Sequence, residues 1–259
     1  MIFILGGKGL VGSAMARYCE RAGLEHAVVD VDEYESCVGR ECDILVNANG
    51  SSSKLLAERA PLEDFDRNVR SVRRSLADFR FRKYVHVSSC DVYPDCSSPE
   101  ATRESVPLEP ARQSPYGFHK YLAEQCVRHA AKDWLIFRFG GFVGPGLRKN
   151  AIYDILRGGP LYLDPESQLQ FLHTDRAAEI VFTLAQRGWS AEVFNLCGRG
   201  LVRLAEVVEF TGKPIAVKPG SPRVRYEVDI AKISRLVEVP ETRTAVLEFV
   251  REAAASGRA

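Results

Sequence analysis

The stretch Gly6–Gly12, of sequence GGKGLVG, constrains this chain more than any other. It follows the apolar run Met1–Leu5, which has the length and residue types of a buried parallel strand. Apolar residues then recur at helical spacing from Val11 to Ala22, which predicts a helix that opens inside the glycine run. The run fits both Gly-x-Gly-x-x-Gly and Gly-x-x-Gly-x-x-Gly. A strand, a glycine turn and a helix in this order predict a dinucleotide-binding unit, with the helix N–H groups aimed at phosphate.

The segments that follow extend this unit. Ala27–Asp30 has the character of a second strand, and its last residue is a carboxylate at about the distance expected for a ribose-binding acid. The link Asp32–Glu41 is polar and leaves little room for a full crossover helix. Cys42–Asn47 predicts a third strand, and Asn47–Gly50 lies at its carboxyl end, where open α/β sheets place ligands.

Further along the chain, strands and helices keep alternating. Pro61–Phe79 has one apolar face and predicts a long helix that contains Asn68, which by helix propensity alone is equally a solvated surface residue. Tyr84–Val87 predicts a strand, and Ser114–Lys120 opens another helix. The alternation loosens after the apolar strand Trp134–Phe139.

Tyr116 and Lys120 lie four residues apart on one predicted helix, so both side chains project from the same face. A cation beside a phenol favours the phenolate and lowers a pKa that is about 10 when unperturbed. Tyr116 is therefore a candidate acid/base near neutral pH. Ser89, at the end of the preceding strand, is placed to hydrogen-bond the same substrate oxygen. Tyr-x-x-x-Lys alone arises often by chance, but with the glycine motif upstream these residues form a specific pattern.

Composition restricts the partners and the compartment. A formal net charge of +1 argues against an electrostatic binder of nucleic acid or of membrane surfaces. The N-terminal apolar run stops after five residues, so no signal peptide is expected, and no apolar stretch is long enough to span a membrane. The seven cysteines form no Cys-x-x-Cys pair, which indicates reduced thiols in a soluble cytoplasmic protein. The five histidines have no metal-ligand spacing, so no metal site is predicted.

Together these motifs resemble the extended branch of the short-chain dehydrogenase/reductase superfamily, which contains nucleotide-sugar epimerases, dehydratases and reductases. The resemblance covers nearly the whole chain. It implies an α/β fold, a Rossmann-like doubly wound parallel sheet with a small C-terminal substrate-binding lobe. The implied domains are an NAD(P)-binding domain at residues 1–147 plus about 172–198, and a lobe at about 148–171 plus 199–259.

The resemblance also assigns roles. Ser89, Tyr116 and Lys120 match the catalytic triad, in which the tyrosine moves a proton to or from a sugar oxygen while the cofactor moves a hydride. The lysine of the family bonds the nicotinamide ribose and lowers the tyrosine pKa. The cofactor-binding residues implied are Gly6, Gly7, Lys8, Gly9, Leu10, Val11, Gly12, Asp30, Asn47, Ala48, Asn49, Asn68, Tyr116 and Lys120.

Some positions depart from the family pattern. Relatives carry an asparagine that often touches substrate after the arginine strand, whereas this chain has Gly140-Gly141, so we assign Gly141 to the substrate side together with Ser89. Arg223 and Arg225 resemble a diphosphate-binding arginine of the family, although a solvated basic loop is an equal interpretation. Relatives that dehydrate the sugar 4,6 positions carry Asp-Glu directly after the triad serine or threonine. Here those two positions are Cys90 and Asp91, which predicts that no such dehydration occurs.

The sequence therefore predicts an NAD-dependent oxidoreductase or epimerase that acts on a sugar, nucleotide-linked, as a cytoplasmic homodimer. NAD is expected over NADP, because Asp30 repels a 2′-phosphate. Two alternatives remain open at this point. One is a non-catalytic NAD(P)-binding sensor or scaffold on the same fold, and the other is an NADP-dependent reductase of a non-sugar ketone.

Overall fold

The structure, a computed structural model, describes residues 1–255 of the 259, so the last four residues of the predicted lobe lie outside the described part. The strands in chain order are β1 (Ile2–Leu5), β2 (His26–Val29), β3 (Glu41–Asn47), β4 (Arg80–Ser89), β5 (Trp134–Phe139), β6 (Gly141–Val143), β7 (Gln168–Leu169), β8 (Phe171–His173), β9 (Glu192–Leu196) and β10 (Val202–Arg203). The helices are α1 (Leu10–Arg21), α2 (Val31–Cys37), α3 (Lys54–Arg59), α4 (Pro61–Phe65), α5 (Ser71–Asp78), α6 (Pro115–Ala130), α7 (Ala151–Arg157), α8 (Thr174–Gln186), α9 (Leu204–Thr211), α10 (Ala231–Ser234) and α11 (Thr242–Ala255).

The chain divides into two compact units. The first is formed by Met1–Pro94, Glu104–Phe139 and Asp175–Phe194, and the second by Asp95–Arg103, Gly140–Thr174 and the chain from Asn195 onward. The assignment of one domain to cofactor and the other to substrate stays a prediction.

The first unit is built on a six-stranded sheet of order β2-β1-β3-β4-β5-β9. Strands β2, β1, β3, β4 and β5 pair with their neighbours in parallel. The chain runs outward from β1 to β2 and then returns to β3 on the other side of β1. The strand order therefore reverses between β1 and β3, which is where open α/β sheets bind ligands. Because Leu5 pairs with both Val29 and Asn47, the loops after these three strands leave the sheet at one level.

The link between β2 and β3 was expected to leave little room for a full crossover helix, and the structure differs. A full helix, α2, crosses there in only seven residues. Asp30 caps it, because its carboxylate accepts from the backbone at Glu33 while the Glu33 side chain accepts from the backbone of Asp30. Such reciprocal capping offsets the cost of starting a short helix.

The predicted long helix from Pro61 onward is α4 and α5 joined by a five-residue π turn, Asp66–Arg70. Such π turns are rare and are frequent at functional sites. One face of the sheet and the helices α5 and α6 bury the main core of this unit. Its aromatic members are Phe3, Phe79, Tyr84 and Trp134.

The second unit has its own core, drawn from α7, α9, α11 and short strands that pair as β6–β8 and β7–β10. Its separate segments are held together by buried polar groups. The Asn195 side chain donates to the carbonyl oxygens of Thr102 at 2.6 Å and of Asp229 at 2.9 Å. Three distant stretches of sequence are thereby joined.

Candidate functional site

The glycine loop after β1 forms a compact turn under the N-terminus of α1. Gly6 adopts a φ of +74°, and a Cβ there would lie 2.8 Å from the backbone of Asn49. Gly9 N–H donates to Gly6 O at 3.0 Å, and a Cβ on Gly12 would overlap that same carbonyl. No acidic residue lies in the first turn of α1 and no side chain caps it. The N–H groups of that turn are therefore available to an anion, as a dinucleotide-binding loop requires.

Asp30 directly follows β2 and lies close to other charged groups at the predicted ribose position. Its Oδ2 accepts from the backbone N–H of Lys8 at 3.2 Å. Lys8 Nζ lies 3.7 Å from Asp30 Oδ2 and 3.4 Å from Glu33 Oε1. A cavity of about 230 Å³ opens beside Asp30 and is lined in part by Val31, Tyr34 and Arg74. Lys8 is thus already engaged by two carboxylates.

The Asn47 side chain is directed into the protein. Its Nδ2 donates to Tyr84 OH at 2.7 Å and to Ser75 Oγ at 3.2 Å, and its Oδ1 accepts from Asn49 N–H at 3.0 Å. Asn47 therefore shapes the loop after β3, and only the backbone of Ala48 and Asn49 comes close to Gly6. The sequence did not distinguish these two ways of contributing to a cofactor site.

Asn68 lies in the π turn and is 1% exposed. Its Nδ2 donates to Asp64 Oδ1 at 3.0 Å. Its Oδ1 is buried and has no hydrogen-bond partner among the described residues. A Cβ on Gly50 would lie 2.6 Å from that oxygen, so Asn68 reaches the loop after β3. The structure therefore brings Asn68 to the same loop as Asn49 and, through it, to the glycine turn.

The three catalytic candidates converge at the carboxyl end of β4. Ser89 ends that strand, and α6 begins beside it with Ser114 as a cap and Pro115 in its first turn. A Cβ on Gly117 would overlap the carbonyl oxygen of Asp91, so only glycine lets α6 approach the turn after β4 this closely. This approach brings the phenol of Tyr116 near Ser89 and Asp91, which both influence its pKa.

The electrostatics of Tyr116 differ from the expectation. Burial is the largest cause that raises its pKa, and the charge of Asp91 raises it further, although the hydrogen bond with Ser89 lowers it in part. Lys120 Nζ donates to Val87 O at 2.9 Å, and burial lowers the pKa of Lys120 from 10.5 to about 8. Lys120 is not among the groups that shift the pKa of Tyr116 in the protein without a ligand, so the expected lowering by Lys120 stays a prediction for the protein with bound cofactor.

Asp91 is a site residue that the sequence analysis used only as a departure from the family. Its Oδ1 lies 2.7 Å from Lys54 Nζ, and its Oδ2 accepts from Ser89 Oγ at 3.2 Å. Cys90 is buried, and its thiol donates to Arg138 O at 3.1 Å. The carboxylate beside the candidate triad is thus paired with a cation, and the thiol is packed.

Three further groups around α6 were missed. Glu124 is buried and accepts from Ser88 Oγ at 2.6 Å and from Arg138 at 2.8 and 2.9 Å. His119 and Asp64 form a second buried pair. The four-residue spacing of Tyr116, Lys120 and Glu124 was a signal that Glu124 shares their helix face. No local spacing reveals Asp64 and His119.

The second unit holds three of the four residues assigned to the substrate side, namely Gly141, Arg223 and Arg225. A Cβ on Gly141 would lie 2.5 Å from Gln170 O, so the β6–β8 pairing has no room for a side chain at that position. Arg225 is exposed, pairs with Glu227 and donates to Gln168 Oε1 at 2.7 Å. Arg223 is exposed.

Within residues 1–255, no helix has the length and apolar character needed to cross a membrane. No group of three or more His, Cys, Asp or Glu side chains able to hold a metal ion occurs in that range.

Comparison with known proteins gives a family and several similar folds. Residues 2–197 match the family described as the NAD dependent epimerase/dehydratase family. No curated protein matches the chain. A UDP-galactose 4-epimerase superimposes with a TM-score of 0.80 and 22% identity, over 98% of this chain and 99% of that one.

Two other solved structures have the same fold. MoeE5 in complex with UDP-glucose and NAD has a TM-score of 0.79 and 19% identity, over 98% of this chain and 99% of that one. A dTDP-glucose 4,6-dehydratase from Bacillus anthracis, in complex with NAD, has a TM-score of 0.77 and 20% identity, over 99% of this chain and 97% of that one. These likenesses confirm the Rossmann-like fold that the sequence predicts.

Proposed function

The chain belongs to the NAD-dependent epimerase/dehydratase family, and on that premise we propose that it catalyses hydride transfer on a nucleotide-linked sugar, with Tyr116 as the acid/base. The observation that carries the proposal is the convergence of Ser89, at the carboxyl end of β4, with Tyr116, in the first turn of α6, and with Lys120 one turn further along that helix. Proton transfer needs such a group within hydrogen-bonding reach of the reacting oxygen.

Each of the three side chains has a distinct task in this proposal. Tyr116 exchanges a proton with the sugar oxygen, and Ser89 holds that oxygen by a hydrogen bond. Lys120 binds the ribose next to the nicotinamide and contributes positive charge. Bound NAD supplies the hydride acceptor, and its positive ring favours the phenolate form of Tyr116.

The residues present fit NAD. The open first turn of α1 suits a pyrophosphate, and Asp30 suits the two hydroxyl groups of an adenosine ribose. Glu33 adds a second carboxylate beside Asp30, and Lys8 is engaged by both. The extra phosphate of NADP would meet these carboxylates, so NAD is the preferred cofactor.

Elimination of water is disfavoured by the groups that follow Ser89. A buried thiol with a pKa normally near 8.5 is a poor acid for a leaving hydroxyl group. Asp91 is one methylene shorter than glutamate, and its charge is shared with Lys54 and Ser89. We therefore propose epimerisation or reduction of a keto sugar, and not 4,6-dehydration.

The proposed substrate class is supported by the resemblance and by solved structures of the same fold. One of them is a UDP-galactose 4-epimerase and another was solved with UDP-glucose. In this proposal Ser89, Arg223 and Arg225 contact the substrate, with the arginines on the diphosphate. Gly141, which has no side chain where relatives place an asparagine, can contribute only its backbone.

The sequence leaves two alternatives to this proposal open. One is a non-catalytic sensor or scaffold that binds NAD(P), and the other is an NADP-dependent reductase of a non-sugar ketone. The intact Ser89–Tyr116 pair supports an enzyme over a sensor. The paired carboxylates at Asp30 support NAD over NADP.

We further propose a homodimer formed through the outer face of α3, α4 and α6. Four large apolar side chains on these three helices are exposed, namely Leu55, Leu62, Phe65 and Phe118. Exposed apolar side chains on helices that pack together support an interaction site there. Light scattering should show a dimer for the native protein and a monomer for Leu62→Glu, and a monomeric native protein contradicts this part.

The proposed cytoplasmic location is supported by the cysteines. All seven lie in the described part of the chain, and none forms a disulfide there. Proteins of reducing compartments have this property.

The activity is tested by incubating the protein and NAD with common nucleotide sugars and following the products by mass spectrometry. An epimer has the mass of its substrate and is separated by chromatography, whereas a keto-sugar reductase consumes NADH and adds two mass units (two hydrogen atoms). Tyr116→Phe serves as the inactive control. Absence of turnover with every nucleotide sugar, in a protein that binds NAD, would favour the sensor.

A further inference from the structure

Asp64, the last charged residue before the π turn, is completely buried beside α6. Its Oδ2 lies 2.8 Å from His119 Nδ1, and its Oδ1 lies 3.0 Å from Asn68 Nδ2. Both partners are themselves buried, at 7% and 1% exposure. The ring of Phe65 meets the His119 ring edge-on, with centroids 5.7 Å apart. The carboxylate is therefore held on both oxygens by side chains that cannot easily move.

Chemistry decides the orientation of both partners. An ionised carboxylate only accepts hydrogen bonds. The nitrogen of His119 that faces Asp64 must therefore carry the proton. For the same reason, the amide atom of Asn68 that faces Asp64 must be the nitrogen. The amide oxygen of Asn68 is consequently turned the other way.

That oxygen points at the loop after β3. It is buried and unpartnered among residues 1–255, and Gly50 approaches it so closely that a Cβ there would lie 2.6 Å away. The same loop contacts Gly6 through the backbone of Asn49. A buried acceptor without a donor is unfavourable, so its presence at a ligand site indicates that the ligand supplies the donor.

We propose that Asp64 and His119 are positioning residues, which hold the Asn68 amide with its oxygen toward the cofactor site to accept a hydrogen bond from a hydroxyl or amide N–H donor of NAD. The inference rests on NAD being the cofactor. His119 orients Asp64, Asp64 orients Asn68, and Asn68 alone contacts the ligand.

The other carboxylate beside this site, that of Asp66, does not orient the Asn68 amide. The Asp64 charge is felt at Tyr116 and Lys120 on α6, where it raises the pKa of each. Asp66, in the π turn, is exposed and pairs with Arg70 at 3.6 Å. Asp66→Asn therefore makes the same chemical change two residues away without touching the amide of Asn68.

The test is calorimetric titration of NAD into the purified protein and its variants, with thermal unfolding of each variant as a check on folding. Asn68→Leu should weaken NAD binding about tenfold, the effect of one lost hydrogen bond. Asp64→Asn should weaken it by severalfold, because a neutral amide no longer dictates which way Asn68 turns. Asp66→Asn should leave the affinity unchanged.

A double-mutant cycle separates positioning from a general structural role. In the Asn68→Leu background, Asp64→Asn should cause a much smaller loss of affinity than in the native protein, because its effect through Asn68 is then absent and only its charge effect at Lys120 remains. His119→Asn, which can place an N–H near the position of Nδ1, should retain more affinity than His119→Leu. Additive losses in the cycle, or variants that bind NAD as tightly as the native protein, overturn the inference. A native protein that does not bind NAD instead refutes the proposed cofactor.

Discussion

Lys54 Nζ lies 2.7 Å from Asp91 Oδ1, two residues beyond the serine of the candidate triad. Lys54 is 61% exposed and Asp91 is 18% exposed, so the pair is at the edge of the site and not in the core. Asp91 is also a charge that raises the pKa of Tyr116. The exposed lysine thus acts, through Asp91, on the proton affinity of the proposed acid/base.

The first prediction follows from this pair. Asp91→Asn removes a negative charge beside the phenol, so the pKa of Tyr116 falls by about one unit. A reaction that needs the phenolate then becomes active at lower pH. Lys54→Met removes the cation that is paired with Asp91, so the pKa of Tyr116 rises. The increase of activity with pH then occurs at higher pH. The pH dependence of kcat/KM measures both shifts, and shifts in the same direction would contradict the assignment.

The second prediction concerns Tyr116 itself. Tyr116→Phe keeps the ring for packing and removes only the proton-transfer group, so turnover should fall by roughly a hundredfold or more. Folding and NAD affinity should stay close to those of the native protein. Steady-state kinetics and calorimetry measure the two effects. Near-native turnover of the Phe variant would exclude Tyr116 as the acid/base.

The third prediction is that burial of the Lys120 ammonium group lowers the free energy of unfolding of the protein. Its pKa of about 8 in the folded protein is below its usual 10.5, so the folded state binds fewer protons than the unfolded state between these values. At pH 7, Lys120→Met should therefore be about 2 kcal/mol more stable without ligand, after allowing for the lost bond to Val87 O. The difference should shrink as the pH rises from about 8 toward 10.5.

The same variant should bind NAD more weakly than the native protein, because the ribose loses its cationic partner. Urea unfolding across this pH range and calorimetry test the two halves. A less stable Lys120→Met protein at pH 7 would show that burial of the ammonium group is better compensated than its surroundings indicate.

The fourth prediction is the cofactor preference. The native protein should bind NAD more tightly than NADP, because Asp30 and Glu33 place two carboxylates beside Lys8, where we propose that the adenosine ribose binds. Asp30→Asn should reduce the difference in affinity between NAD and NADP, because it removes one negative charge and leaves Lys8 with one carboxylate partner fewer. Calorimetric titration with both cofactors decides it, and tighter binding of NADP to the native protein would refute the expectation.

The fifth prediction concerns the buried ion pair behind the triad. Glu124 accepts hydrogen bonds from the Ser88 hydroxyl group and from the Arg138 guanidinium. Burial lowers the pKa of Arg138, but the charge and the hydrogen bonds of Glu124 raise it. Glu124→Gln leaves a buried guanidinium without its counter-charge and should cost roughly 3–5 kcal/mol of unfolding free energy. Glu63→Gln, in the exposed pair with Arg67, should cost about 1 kcal/mol or less. Equal losses in urea unfolding would contradict the importance of burial.

Much of the fold could be predicted because its signals are local. The apolar run before Gly6 and the helical period after Gly12 lie within about twenty residues, and backbone sterics at a glycine turn depend on neighbours in the chain. The four-residue spacing of Tyr116 and Lys120 likewise places them on one helix face before any tertiary contact forms. Local signals of this kind predicted the family, and the comparisons confirm it.

The remainder depended on contacts between distant residues. Lys54 and Asp91 are 37 positions apart, and Asp64 and His119 are 55 apart, so no period in the sequence relates them. The raised pKa of Tyr116 likewise follows from burial, which only the packed structure sets. The sequence by itself determined which groups are available for chemistry and their order along the chain. The tertiary structure decided which charges those groups face and how much water reaches them, because both depend on distances through space.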